Sequence, residues 1–146
     1  MKNSVALITG AAKRIGKAMA CRFAEAGINI IIHYNKSREA ALELEQMLKT
    51  YGIRTWLIEA DLSIPEEVHK LFQKGIENAG VIDILINNAS IFPTDSLTTF
   101  TPASLHENIN VNALAPLLLC RGFARQQRKG KIINFLDTRI TDYDCH

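Results

Sequence analysis

Two kinds of segment alternate along the chain. Short apolar runs rich in β-branched residues occur at Val5–Thr9, Ile28–His33, Arg54–Ala60, Ile82–Ile86 and Lys131–Leu136. Each is too short for a helix and reads as a strand buried on both faces, because hydrophobicity does not alternate along it. Between them, apolar residues recur at helical spacing. Ile15, Ala18, Met19, Phe23 and Ala26 form the first such stripe, ended by Gly27. Ala41, Leu44, Met47, Leu48 and Tyr51 form the second, with Ser37 as its expected N-cap and Gly52 at its end. Val68, Leu71 and Phe72 mark a third, opened by Asp61, Ser63, Pro65 and Glu66 and running to about Asn78. After a Ser/Thr/Pro-rich loop over Asn87–Thr101, one long helix is expected from about Pro102 to Arg125.

Strands alternating with helices predict βαβ units with right-handed crossovers and a parallel sheet. The expected fold class is α/β, a Rossmann-type three-layer doubly wound sheet of order 3-2-1-4-5, truncated after strand 5 and occupying residues 1–146 as one domain. The ligand crevice of such a sheet lies where the strand order reverses, beside strands 1 and 4. A last strand with nothing after it would present an unpaired edge and apolar surface.

Composition adds exclusions. The 146 residues are 47% hydrophobic and 22% charged, values ordinary for a globular domain. Seventeen basic residues are scattered and the formal net charge is +2, so no nucleic-acid footprint is present. Three cysteines, Cys21, Cys120 and Cys145, are widely spaced without a CxxC, which speaks against a disulfide framework or a metal site and for a reducing, cytoplasmic setting. No run is long enough to span a bilayer and no leader peptide is expected at Met1–Ser4.

The chemistry-bearing residues gather at strand ends. Thr9-Gly10-Ala11-Ala12-Lys13-Arg14-Ile15-Gly16 joins strand 1 to the first helix, whose N-terminal N–H groups and dipole suit a pyrophosphate. Gly10 permits the tight turn, and Gly16 is expected to let the helix pack closely on the sheet. At the end of strand 2, where NAD sites carry a carboxylate, the chain has His33-Tyr34-Asn35-Lys36-Ser37. Arg14 and Lys36 would attract a 2′-phosphate and Ser37 could donate to it, so NADP(H) is the expected cofactor, held by Gly10, Lys13, Arg14, Ile15, Gly16 and residues 33–37.

These residues, with Ala60-Asp61-Leu62-Ser63, Asn87-Asn88-Ala89-Ser90 and Asn112 in the long helix, resemble the short-chain dehydrogenase/reductase family over the whole chain. Most members carry glycine where this chain has Arg14. Thr-Gly-Ala-Ala-Lys-Arg-Ile-Gly followed by His-Tyr-Asn-Lys-Ser looks like the pteridine reductase branch, which uses NADPH. The resemblance implies that Asp61 and the Leu62 backbone bracket the adenine, and that Asn88, Ala89 and Ser90 wall the ribose. It further implies that Phe92 stacks on a flat substrate ring, that Asn112 anchors a water relay, and that Asp137 takes part in proton delivery from the position where other members carry serine.

The implied reaction is hydride transfer from NADPH to a pteridine-like C=N or a carbonyl, with a 3-oxoacyl thioester or another ketone as the alternative substrate. A non-catalytic NADP(H)-binding module is the alternative class. The tyrosine and lysine of the family, four residues apart, are expected just beyond His146; Tyr143 lies too close to Asp137 to replace that tyrosine. The chain alone is therefore expected to be inactive. Expected partners are a small-molecule substrate, with neither nucleic acid nor membrane, and a parent protein that is a homodimer or homotetramer.

Overall fold

The computed structural model describes residues 3–96 and 98–136; Asp137 and Tyr143 lie outside the described residues. Five strands form one parallel sheet: β1 (Val5–Ile8), β2 (Asn29–Tyr34), β3 (Thr55–Glu59), β4 (Ile84–Asn87) and β5 (Lys131–Asn134). Their order is β3-β2-β1-β4-β5, the expected one. Helices α1 (Arg14–Glu25), α2 (Arg38–Lys49) and α3 (Pro65–Ala79) follow the first three strands.

Alternate residues of each strand feed two separate cores, because successive side chains point to opposite faces. Val5, Leu7, Ile31 and Leu85 meet Val68, Leu71 and Phe72 on one face. Ala6, Ile8, Ile30 and Ile32 meet Ala20 and Ala24 of α1 and Ala41, Leu44 and Leu48 of α2 on the other. Register pins the centre: Leu7 lies opposite Ile31 on one side and Leu85 on the other. The chain turns from building leftward to building rightward at β1, so the tips of β1 and β4 stand side by side with no crossover above them.

The expected single helix over Pro102–Arg125 is three pieces. Helix α4 (Pro102–Ile109) and helix α5 (Ala115–Arg125) are joined by a π-helical segment, Asn110–Leu114. Pro116 explains the break: it has no N–H for the carbonyl of Asn112, and its ring would collide with that carbonyl in a regular α-helix. The amide of Ala115 instead bonds back to the carbonyl of Asn110, five residues away.

The sheet is covered unevenly. Strand β5 is exposed along its whole length, and Ile132, Ile133, Phe135 and Leu136 all present apolar surface to solvent. Among the described residues no helix is long and apolar enough to cross a membrane.

Candidate functional site

Thr9, the residue after β1, laces the two central tips together. Its buried hydroxyl donates to the carbonyl of Ile86 at 3.3 Å and accepts the amides of Asn88 and Ala89, each at 3.0 Å. Asn88 answers in the other direction, its Nδ2 donating to the carbonyls of Thr9 at 2.9 Å and Gly10 at 3.3 Å. The glycine turn therefore sits on the Asn-Asn-Ala segment. Gly10 has φ +62°, and a Cβ on it would lie 3.1 Å from the Cα of Ala89.

Gly16 corrects the expectation drawn from its position. A Cβ there would collide with the carbonyl oxygen of Gly10 and would lie 2.8 Å from Asn88 Nδ2 and 2.9 Å from the Cα of Ala11. Its smallness brings the helix against its own turn and Asn88, not against the strands.

The N-terminus of α1 is left open. Lys13 occupies the N-cap in an extended conformation, no side chain caps the first turn, and that turn carries no acidic residue. The amides of the first turn, which have no partner within a helix, and the positive end of the dipole are thus presented to the crevice. Arg14 begins the helix in the left-handed region, with φ +50°. An added side chain is strained there, and glycine is the residue that adopts it freely.

A cleft of about 410 Å³ opens over this turn, lined by Gly10, Ala12, Lys13, Arg14 and Ile15 on one side, Tyr34, Asn35 and Ser37 on another, and Asn88, Ala89 and Ser90 on the third. Ser37 stands at the N-cap of α2, as expected, but its hydroxyl makes no capping bond. The first helical bond of α2 runs from the amide of Ala41 to the Ser37 carbonyl. Lys36 is not part of the lining; its charge bears on Asp61.

His33, expected in the crevice with its neighbours, lies beneath the turn and is only 2% exposed. Its Nδ1 accepts the amide of Gly10 at 3.1 Å and its Nε2 lies 3.0 Å from the carbonyl of Ala60. Burial pushes its pKa down to about 4, with the Ala60 carbonyl and the charge of Asp61 pulling weakly the other way. The strand pleat accounts for the difference, since in β2 the ring of His33 and that of Tyr34 must point to opposite faces.

Asp61 and Leu62 lie outside that lining, in the turn between β3 and α3. Asp61 Oδ1 accepts both the amide of Ser63 at 2.9 Å and its hydroxyl at 2.7 Å. Partial burial raises the carboxyl, but the Ser63 hydroxyl and amide, the Asn35 amide and the Lys36 charge outweigh it and leave Asp61 below its ordinary value. Glu67 reaches back to the Asp61 amide, and Asn110 of the π segment donates to the Ser63 carbonyl at 2.9 Å.

A second cleft of about 920 Å³ adjoins the first through Ile15, Asn88, Ala89 and Ser90. Phe92 and Asn112 both line it, so the expected substrate contact and relay residue are brought together; Phe92 is 71% exposed. The side chain of Asn112 is committed elsewhere: Oδ1 accepts the Ile91 amide at 2.9 Å and Nδ2 donates to the Ile91 carbonyl at 2.8 Å. Deeper in the cleft, Asn87 Nδ2 donates to Asn134 Oδ1 at 2.7 Å, with Cys120 Sγ at 3.5 Å. The sequence alone does not mark Thr9 or the Asn87–Asn134 pair across β4 and β5 as site features. Two asparagines ending neighbouring parallel strands were the available signal.

The family model described as short chain dehydrogenase matches residues 4–136. The chain belongs to the short-chain dehydrogenase family. Versicolorin reductase 1 of Aspergillus parasiticus is 32% identical over 130 residues, which is 89% of this chain and 50% of that protein. The 3-oxoacyl-[acyl-carrier-protein] reductase FabG of Staphylococcus epidermidis is 29% identical over 135 residues, 90% of this chain and 55% of the relative. Among solved structures, a short-chain dehydrogenase from Burkholderia cenocepacia in complex with NADP superposes with a TM-score of 0.90 at 33% identity, covering 97% of this chain and 59% of the other. The chain spans about half the length of the curated relatives it matches.

Proposed function

We propose that this chain is the dinucleotide-holding half of an NADPH-dependent short-chain reductase acting on a pteridine-like C=N or a carbonyl. The observation that carries this is the pair of adjoining clefts across the β1 and β4 tips, with an uncapped helix N-terminus at their junction and Arg14 beside it. The residues fit a dinucleotide on a structural criterion. Gly10, Lys13, Arg14 and Ile15 line the cleft around the start of α1, and the first-turn amides are left for an anion.

A reduced nicotinamide would supply the hydride. The chain's own residues bind and orient. The first turn of α1 would hold the pyrophosphate, and Arg14, Asn35 and Ser37 would face the 2′-phosphate, where a charge-assisted bond is worth roughly ten- to a hundred-fold in affinity. Asp61 and Leu62 would take the adenine edge, and Asn88, Ala89 and Ser90 the ribose. Phe92 would cover one face of a flat substrate by offset stacking. With its side-chain amide held by Ile91, Asn112 would serve a water relay through its backbone carbonyl, which Pro116 leaves without an α-helical donor. Asp137 is proposed as the group delivering a proton to the substrate. Among the described residues neither Tyr34 nor Tyr51 has a lysine four positions on, so the chain alone is proposed not to turn over.

The similarity to a 3-oxoacyl-[acyl-carrier-protein] reductase favours a second substrate reading, a 3-oxoacyl thioester or related ketone. Titration of the protein with NADPH and NADH tests the cofactor: about ten-fold or greater preference for NADPH is expected, and equal affinities would overturn the assignment. Assay of the longer parent protein with a dihydropterin and with an acetoacetyl thioester decides the substrate.

A further inference from the structure

Among the described residues, the proposed contacts leave one buried, titratable side chain without a role. His33 touches neither cleft, yet it joins three separate segments: it belongs to β2, its Nδ1 accepts the amide of Gly10 in the glycine turn, and its Nε2 reaches the carbonyl of Ala60 at the start of the β3–α3 turn. Backbone bonds run beside it, from the Ala11 amide to the His33 carbonyl and from the Ala60 amide to the Tyr34 carbonyl. The neighbours settle which nitrogen carries the proton. A carbonyl can only accept, so Nε2 must be the N–H, and a backbone amide can only donate, so Nδ1 must be bare. Only the neutral Nε2–H tautomer satisfies both.

The bond also fixes what the turn can offer. With its amide engaged by the ring and its carbonyl accepting from Asn88, Gly10 holds φ +62° with its backbone polar groups committed below the crevice. The anion is left to the first-turn amides of α1. The same ring holds the Ala60 carbonyl, next to Asp61. The glycine turn and the β3–α3 turn are thus tied to each other by one imidazole.

We propose that His33 is a positioning residue for the dinucleotide, bracing the phosphate turn against the adenine-side turn through the Nε2–H tautomer without touching the ligand. This deepens the cofactor reading and rests on it. It also predicts a pattern different from loss of a phosphate contact, since weakening the brace must weaken NADPH and NADH alike.

Three variants test it in the protein. In His33→Asn the amide oxygen takes the place of Nδ1 but no atom reaches the Ala60 carbonyl, so with one arm of the brace lost NADPH and NADH are both expected to bind about three- to ten-fold more weakly. In His33→Leu the Gly10 amide is buried without an acceptor, and both NADPH and NADH are expected to bind about ten- to a hundred-fold more weakly with their ratio unchanged. Arg14→Gly should change the ratio instead. Unchanged affinity in folded His33→Leu, or a loss confined to NADPH, would overturn the proposal. Should His33→Leu fail to fold, ¹⁵N spectra of the unmutated imidazole still decide: a protonated Nε2 with a slowly exchanging Gly10 amide is expected, and a protonated Nδ1 would overturn it. If the unmutated protein bound neither cofactor, the functional reading would fall while those spectra still judged the brace.

Discussion

Asn112 holds Ile91 by both of its backbone polar groups, the amide at 2.9 Å and the carbonyl at 2.8 Å, across 21 residues of chain. The segment so held is the one that follows β4 and carries Phe92 to the mouth of the larger cleft. A mid-helix asparagine usually competes with its own backbone; here the π segment turns it outward to serve another. Asn112→Leu is expected to speed exchange of the Ile91 amide by at least an order of magnitude and to lower stability by about 1 kcal/mol. Hydrogen exchange and a urea titration check both.

Arg14 combines a positive φ with a charge at the cleft, so its two properties can be separated. Arg14→Gly removes the strain and the cation together. Its unfolding midpoint should be unchanged or higher, since left-handed backbone costs a non-glycine residue on the order of 1 kcal/mol. Its preference for NADPH over NADH should fall by roughly ten-fold or more. A melt and paired titrations read the two effects independently.

Gly16→Ala places a methyl group against the Gly10 carbonyl, Ala11 and Asn88, all of them backbone or a side chain held by two hydrogen bonds. Little of this can move aside. Overpacking of this kind costs about 1–3 kcal/mol, and dinucleotide binding should be lost with it. Equilibrium unfolding and NADPH titration of this variant are the relevant measurements.

Stability should depend on acid through His33. In the unfolded chain the ring takes a proton as pH falls through about 6.5, whereas in the fold it resists until about 4. Between those values the unfolded state binds more protons, so stability declines as pH is lowered across that window, by about 3 kcal/mol in all. Asp61, whose carboxyl lies below its ordinary 3.8, adds a loss in the same direction only at lower pH still. His33→Asn should flatten the upper window and leave the lower one. Denaturant titrations at a series of pH values distinguish the two.

The sheet was legible because burial on both faces makes each central strand a continuous apolar run, as Asn29–Tyr34 shows with six buried residues in succession. Right-handed crossovers admit more than one doubly wound order, and the order with β1 beside β4 is the one expected where a glycine turn follows the first strand. The glycine turn and Asn-Asn-Ala were legible as a pair because both lie at carboxyl ends of strands flanking the switch point. Side-chain destinations were not. Residues 33–37 look uniform as a string, but the pleat sends His33 under the turn and Tyr34 to the cleft. Pro116 was the one mark of the π segment, and its effect falls four residues upstream on a carbonyl that the sequence does not display. In the sequence Thr9 reads as one member of a motif, whereas its work is done through hydrogen bonds that exist only once β1 and β4 are neighbours.

The extra residue of the π segment has a geometric consequence for everything after it. An α-helix advances about 100° per residue, so one surplus position rotates α5 by that much relative to a continuous helix begun at Pro102. Helix α4 buries none of its residues, while α5 turns Ala115, Leu119 and Phe123 fully inward. Trimming one residue from Asn110–Leu114 would make a straighter rod and swing that inward stripe toward solvent, so the irregular turn works as a phase adjuster between a solvated half-helix and a core-bound one.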